Sequence, residues 1–320
     1  MFLLRTLLLL SMLALSAAIA AGFLGALHPA FDTAAHFRAH LAVGLLALAC
    51  LRAVMRRPIV AAPFAAIAIA AGVSCAPGLR TDVRSQVPTE RADAPVYSLL
   101  QMNLLFNNPA PGLFLAEVDR LKPDIVTVEE VSQHWQEPLQ RLHAAYPHRY
   151  RCPEWSAHGG VTIYSRFEIT QEPTGCGGYG SLGVAHFLID GRQIAIGAAH
   201  LRWPWPASGP RQIGELAPIL AGIGPDALIV GDFNATTWSH SLQRFAQLGG
   251  LEVRGGVGPT WMWEGLPNTL ARWIGFPIDN VLSKGAVRIV EASTLPPAGS
   301  DHLPVLVKFQ LVPADGAAGG

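Results

Sequence analysis

Charge is what this chain is short of. Only 14% of its 320 residues are Asp, Glu, Lys or Arg, and mean hydropathy is +0.31. The shortage is local: residues 6–27 and 58–79 contain no charged side chain at all. Each run is long enough for a bilayer core, which needs about 20 apolar residues as helix, so a purely soluble chain is disfavoured. Cysteine is also scarce. Of four, Cys50 and Cys75 fall in apolar runs, and Cys75 follows Gly-Val-Ser, a poor lipid-attachment site. Cys152 and Cys176 remain, and an oxidising compartment would permit them to pair. A basic excess is lacking as well. Residues 1–80 carry six Lys/Arg against one Asp (+5), and residues 81–320 carry 17 Lys/Arg against 22 Asp/Glu (−5). Proteins that grip nucleic acid through its backbone usually present a basic surface. The acidic balance weighs against that partner without removing a local basic groove.

A third apolar run, His40 to Leu51, is closed by Arg52. About three transmembrane helices are therefore expected in residues 1–79. Arg52, Arg56 and Arg57 cluster before the last run, and such clusters favour the cytoplasmic side. That places Arg5 inside, the 28–38 loop outside, and everything after about residue 80 on the periplasmic, extracytoplasmic face of a cytoplasmic (inner) membrane. A cleaved first run would leave the same result; a second run that failed to span would reverse it.

Residues 80–95 are polar, contain Pro88 and Pro95, and read as a linker. Residues 96–312 read as one domain, with a flexible tail at 313–320. Strands are expected at 97–106, 124–128, 160–164, 184–189, 194–199, 228–230, 278–282, 287–292 and 303–311. Helices are expected at 114–121, 132–143, 211–221 and 241–248. Many strands with few helices between them predict two packed sheets flanked by helices, a four-layer α/β/β/α sandwich.

Polar groups recur at the ends of these strands: Asn103, Glu130, His200, Asp232 with Asn234, Asp279, and Asp301-His302. In Leu228-Ile-Val-Gly-Asp-Phe-Asn234 an apolar run ends in a carboxylate and a carboxamide two residues apart, which project the same way from an extended chain. Alone, that is as much an Asp/Asn turn as a site. Six such strand ends together are what a catalytic cleft at one sheet edge requires.

The set resembles the endonuclease/exonuclease/phosphatase superfamily of metal-dependent phosphoesterases. The resemblance rests on Gln-Met-Asn at 101–103, Pro-Asp-Ile-Val-Thr-Val-Glu-Glu-Val at 123–131, Ala-His-Leu at 199–201, Gly-Asp-Phe-Asn at 231–234, Ile-Asp-Asn-Val-Leu at 278–282 and Ser-Asp-His-Leu-Pro at 300–304. The preceding apolar runs look like a membrane-anchored bacterial branch. Two positions depart from the pattern: Glu129 stands where the family usually has Gln, and Asn280 follows Asp279 where His or Tyr is common.

The resemblance implies water attack on a phosphate ester with Mg²⁺, or alternatively Mn²⁺, as cofactor, since hard oxygen ligands suit such ions. Glu130, Asn103 and Asp301 would be the metal residues. Asp232 would activate the water, and Asn234 would hold a phosphoryl oxygen or fix Asp232. His302 would donate to a non-bridging oxygen, with Asp279 setting its tautomer, and His200 would be a second donor. The substrate stays open among lipid, small phosphodiester and nucleic acid. An extracytoplasmic nuclease and a non-catalytic module binding phosphorylated ligands are the rival readings. The bacterial membrane is the one macromolecular partner implied; no protein partner is. Trp203, Trp205, Trp261, Trp263, Trp273 and Phe276 flank the cleft and read as loop packing or an apolar rim.

Overall fold

A computed structural model describes residues 2–80, 82–84, 94–152, 158–170, 175–263 and 265–312. Two mixed sheets pack face to face. The first holds β1 (Asp82–Arg84), β2 (Tyr97–Asn103), β3 (Ile125–Val131), β4 (His148–Arg151), β5 (Gly160–Ser165), β12 (Val287–Thr294) and β13 (Val305–Leu311), in the order β1-β12-β13-β2-β3-β5-β4. The second holds β6 (Gly175–Gly177), β7 (Leu182–Ile189), β8 (Arg192–His200), β9 (Ala227–Asp232), β10 (Glu252–Gly256) and β11 (Asp279–Lys284), in the order β10-β11-β9-β8-β7-β6.

Central strands such as β9 are buried along their whole length, as strands covered on both faces must be. Ile163, Ile196, Val230, Val307 and Phe309 belong to the core between the sheets. Outside the first sheet, α5 (Pro111–Leu121) and two 3₁₀ turns cover a second cluster around Phe114 and Trp135. Outside the second, α6 (Gly209–Glu215), α7 (Ala217–Ala221) and α8 (His240–Gly249) cover Phe233 and Phe245. The expected four layers are present.

The helix expected at 132–143 is instead two 3₁₀ turns, Gln133–Trp135 and Pro138–Leu142. Pro138 has no N–H to continue an α-helix through it. The helix at 211–221 is two short ones meeting at Leu216. Much of the expected 80–95 linker lies outside the described residues, as does the 313–320 tail; within the linker, Asp82–Arg84 pairs antiparallel with β12. Cys152 and Cys176 form a disulfide, with Cα atoms 5.5 Å apart.

Before the sandwich come α1 (Phe2–Gly22), α2 (Pro29–His36), α3 (Arg38–Val54) and α4 (Pro58–Cys75). Of these, α1 and α4 are each long and apolar enough to cross a membrane, and α2 with α3 would make a third span bent by 64°. Pro29 at the first turn and the His28 side chain, accepting from Ala30 N–H, start α2. Arg38 ties three helix ends together. Its guanidinium donates to Gly22 O at 2.6 Å and to Ser74 Oγ at 3.5 Å, and covers the Phe23 ring.

The short helix α2 docks on the sandwich. The Asp32 carboxylate accepts from His240 N at 2.6 Å and from Ser241 N and Oγ at 2.9 and 2.5 Å. It thus satisfies free N–H groups at the start of α8, where the helix dipole favours negative charge. Trp238 Nε1 donates to Ala35 O at 2.7 Å, and His36 Nε2 lies 3.2 Å from Asn234 O.

Candidate active site

Topology brings the strand ends together. β2 and β3 run parallel, as do β8 and β9, so Asn103, Glu129, His200 and Asp232 end up at one edge. β11 starts antiparallel to β9 with Asp279 opposite Asp232. At Gly231, φ is +144° and an added Cβ would sit 2.0 Å from Ala199 O. Only glycine lets β9 pass that close to β8.

Asp232 is the hub. Its Oδ1 accepts from Asn234 N at 2.8 Å; its Oδ2 accepts from Asn234 Nδ2 and Asn103 Nδ2, both at 3.2 Å. Two imidazoles close on that same Oδ2, His302 Nε2 at 3.6 Å and His200 Nε2 at 3.7 Å. Behind His302, Nδ1 lies 2.8 Å from Asp279 Oδ2. Asp279 Oδ1 and Glu129 Oε2 share Gln101 Nε2, at 2.9 and 2.8 Å.

Glu130 is re-aimed by a bulge. The β3–β5 register shifts between Val128 and Val131, and Glu130 has φ +57°. Glu129 therefore points into the buried network while Glu130 faces outward, where Phe106 N donates to Oε2 at 2.8 Å and Asn103 Nδ2 to Oε1 at 3.2 Å. Asn234, at φ +46°, is the second left-handed residue in the site. Such backbone costs about 1–3 kcal/mol each and collects where geometry serves chemistry.

Electrostatics separate the two central groups. Burial pushes Asp232 up to about 6, with Asp279 adding to the shift and His302 and His200 opposing it. Burial disfavours the His302 cation, but Asp279, Asp232 and Asp301 outweigh it and raise the imidazole to about 10. Burial would also raise Asp279, yet the His302 charge and hydrogen bond hold it below the usual carboxylate range. Burial drives Glu129 well up, with Asp279 and Asp232 adding to the rise and the Gln101 hydrogen bond and the His302 charge opposing it.

Of the eight residues expected from sequence, Glu130, His200, Asp232, Asn234, Asp301 and His302 line one cavity of about 360 Å³. Asn103 and Asp279 stand directly behind, bonded to them. Trp203, Trp261, Phe276 and Ile278 complete the wall, while Trp205, Trp263 and Trp273 are exposed. A neighbouring cavity of about 310 Å³ shares His200 and reaches Tyr179, Arg202 and Gln212.

Metal capacity can be judged from the donors. Asp232, Asp279 and His302 bring ligand atoms within 4.8 Å of one another. His302 Nδ1 and Asp279 Oδ2 are already engaged with each other, however, so this triad is better suited to holding a proton. Glu130 and Asp301 instead offer hard oxygens on the cavity wall, the chemistry magnesium prefers. Asp301 is steadied by Trp261 Nε1 at 3.0 Å and Ser300 Oγ at 3.2 Å. Asn103 turns its Nδ2, not its oxygen, towards the carboxylates, and its Oδ1 accepts from Leu105 N at 3.1 Å.

Sequence reasoning missed Gln101, Glu129, Ser300 and Thr260, whose Oγ1 accepts from Asp279 N at 3.1 Å. Gln101 and Glu129 stand within motifs read for their neighbours; two buried polar residues on adjacent strands were the available signal. Asn280 has a structural part, donating to Ala235 O and Ile278 O.

Two packed sheets with acids, amides and imidazoles gathered at one edge define a family of nucleases and phosphatases. The chain belongs to the Endonuclease/Exonuclease/phosphatase family, whose model matches residues 100–302. Among solved structures it is similar to the human Nocturnin catalytic domain with bound sulfate (19% identity, TM-score 0.52, 68% of this chain and 96% of that one). It is also similar to D. rerio TDP2 complexed with a single-strand DNA product (16%, 0.52, 67% and 99%). A third is a Staphylococcus aureus beta toxin mutant with bound magnesium ions (14%, 0.50, 68% and 100%). At these identities the likeness is one of fold. No curated protein sequence matches.

Proposed function

We propose that the chain is a membrane-anchored, divalent-metal-dependent phosphoesterase that cleaves its substrate by water attack. The observation that carries this is the Asp232 Oδ2 environment: two imidazoles and two amides converge on one buried carboxylate at the floor of a cavity. A base with a pKa of about 6 is ionised at neutral pH yet basic enough to take a proton from water. Asn234 and Asn103 fix its direction.

His302, held as a cation by Asp279, would donate from Nε2 to a phosphoryl oxygen and stabilise the charge that grows there. His200, whose Nε2 also lies close to Asp232 Oδ2, would serve as second donor. Glu130 and Asp301 would hold Mg²⁺ or Mn²⁺, with Asn103 joining if its amide oxygen turned inward. The ion, when bound, would neutralise phosphoryl charge and ease departure of the leaving oxygen.

The apolar helices are read as spans with the sandwich outside the cytoplasm. The Cys152–Cys176 disulfide supports an oxidising compartment, and Arg52, Arg56 and Arg57 support the orientation. The purified full chain in detergent should hydrolyse a chromogenic aryl phosphodiester with Mg²⁺ or Mn²⁺ and stop when chelator is added. Absence of turnover with any divalent ion would reject the reading in favour of a binding module.

A further inference from the structure

The cavity wall has a second side. Trp203 and Phe276 line the cavity, and both also contact the helices that precede the sandwich. Trp203 packs on His36, ring centroids 4.5 Å apart, and Phe276 meets both Phe37 and His40 at 5.0 Å. His40 Nε2 also bonds Ile274 O at 2.9 Å. Phe37 and His40 bracket Arg38, the residue that ties together Gly22 at the end of α1, the start of α3 and Ser74 near the end of α4. Those three ends mark one face of the helical bundle. One layer of side chains therefore separates the catalytic cavity from the level at which the apolar helices begin.

The exposed residues at this level fit that placement. Trp273 is 86% exposed, and Leu270, one turn earlier on α9 (Asn268–Ile274), is also exposed, beside the His40 contact at Ile274. Phe23, Leu24 and Leu27 lie exposed between α1 and α2, and Trp205 is exposed where its backbone meets Thr33. Tryptophan and other amphipathic or apolar groups at the ends of spans are what a membrane–water interface selects. The headgroup layer is only about 5–8 Å deep on each side of a hydrocarbon core about 30 Å thick. A cavity one side chain away from the span ends lies at the depth of that layer, where lipid phosphates lie.

We infer that the substrate is a phosphate ester carried by a membrane lipid, cleaved at headgroup level with Trp203 and Phe276 as the wall on the bilayer side. This rests on the phosphoesterase reading above and on the apolar helices spanning a membrane. It adds the substrate class and the direction from which substrate arrives.

The test uses the full chain reconstituted in vesicles of phosphatidylethanolamine and phosphatidylglycerol with three fluorogenic aryl phosphodiesters. One is water-soluble. One is joined directly to a diacyl anchor, and the third is joined to the same anchor through a long polyethylene glycol spacer. Both anchored probes are equally concentrated on the vesicle, so only the height of the phosphorus differs. The directly anchored diester should be cleaved at least as fast as the spaced one. Faster cleavage of the spaced diester, or turnover of the soluble one alone, would overturn the inference. Silence with all three would instead remove the phosphoesterase reading beneath it.

A second measurement addresses the exposed face. The double variant W273D/L270D, which places charge where an interface would lie, should cut turnover of the directly anchored probe about tenfold. It should leave the soluble probe unchanged. An equal loss on both probes, or none on either, would count against the inference.

Discussion

The helical bundle and the sandwich use the same apolar residues in opposite ways. In the sandwich, Ile163, Ile196, Val230 and Phe309 are buried between the sheets. In the bundle half of the buried residues are alanines, Ala42, Ala49, Ala61, Ala68 and Ala71, interleaved with Leu8, Met12, Ile19, Leu45 and Phe64. Leu3, Leu7, Leu10, Val43, Val54, Ile59 and Val73 point outward. Water would expel such a surface. Lipid would not, and with no hydrophobic force pressing helices together, close contact through small residues is what associates them. The difference teaches that the surface of the bundle suits lipid and that of the sandwich suits water, with the cavity near the junction of the two.

Four predictions bear on that comparison. The largest effect is confined to the sandwich. Asp232→Asn should lower kcat by about two to four orders of magnitude while circular dichroism stays unchanged, and His302→Ala should do the same. An active variant of either kind would remove its residue from the mechanism.

Next comes the same deletion made in both regions. Ile196→Ala, between the sheets, should cost about 2–5 kcal/mol, read as a lower unfolding midpoint in detergent. Leu10→Ala, on the outer face of α1, should shift that midpoint little. Equal losses would mean that the outer face of α1 packs against protein.

The pH profile follows from the charge states. Asp232 must be ionised and His302 protonated, so activity on a soluble diester should rise as pH passes about 6 and fall as it nears 10. A flat profile between pH 5 and 7 would exclude Asp232 as the base. The smallest effect joins the two regions: Asp32→Ala should cost about 0.5–2 kcal/mol, the usual worth of a helix cap, measured by thermal unfolding.

Much of this is legible in the sequence. Apolar runs bounded by Gly and Pro placed the central strands, and β9 with its Gly-Asp-Phe-Asn ending stood out because burial on both faces leaves no polar residue until the edge. What escaped was whatever depends on partners far away in sequence. The edge strands β4, β6 and β10 are short and carry few apolar residues. The bulge that sends Glu129 inward and Glu130 outward is a pairing irregularity between β3 and β5, invisible in β3 alone. Gln101 acquires its part only when Asp279, 178 residues later, arrives opposite it. The docking of α2 is of the same kind. Nothing in residues 29–36 announces that Asp32 will meet a helix 208 residues on.

That last contact bears on how the protein can be divided. The 28–38 segment looks like a connection between spans, yet it carries the carboxylate that caps α8 and the imidazole that meets Asn234 O. Cutting before residue 80 to obtain a soluble fragment would strip those partners from the loop that follows Asp232. It would bare Trp203 and Phe276 on their far side as well. Weak turnover by a truncated chain would then report the loss of support for the cavity wall, so residues 28–40 are better counted with the sandwich than as a connection between helices.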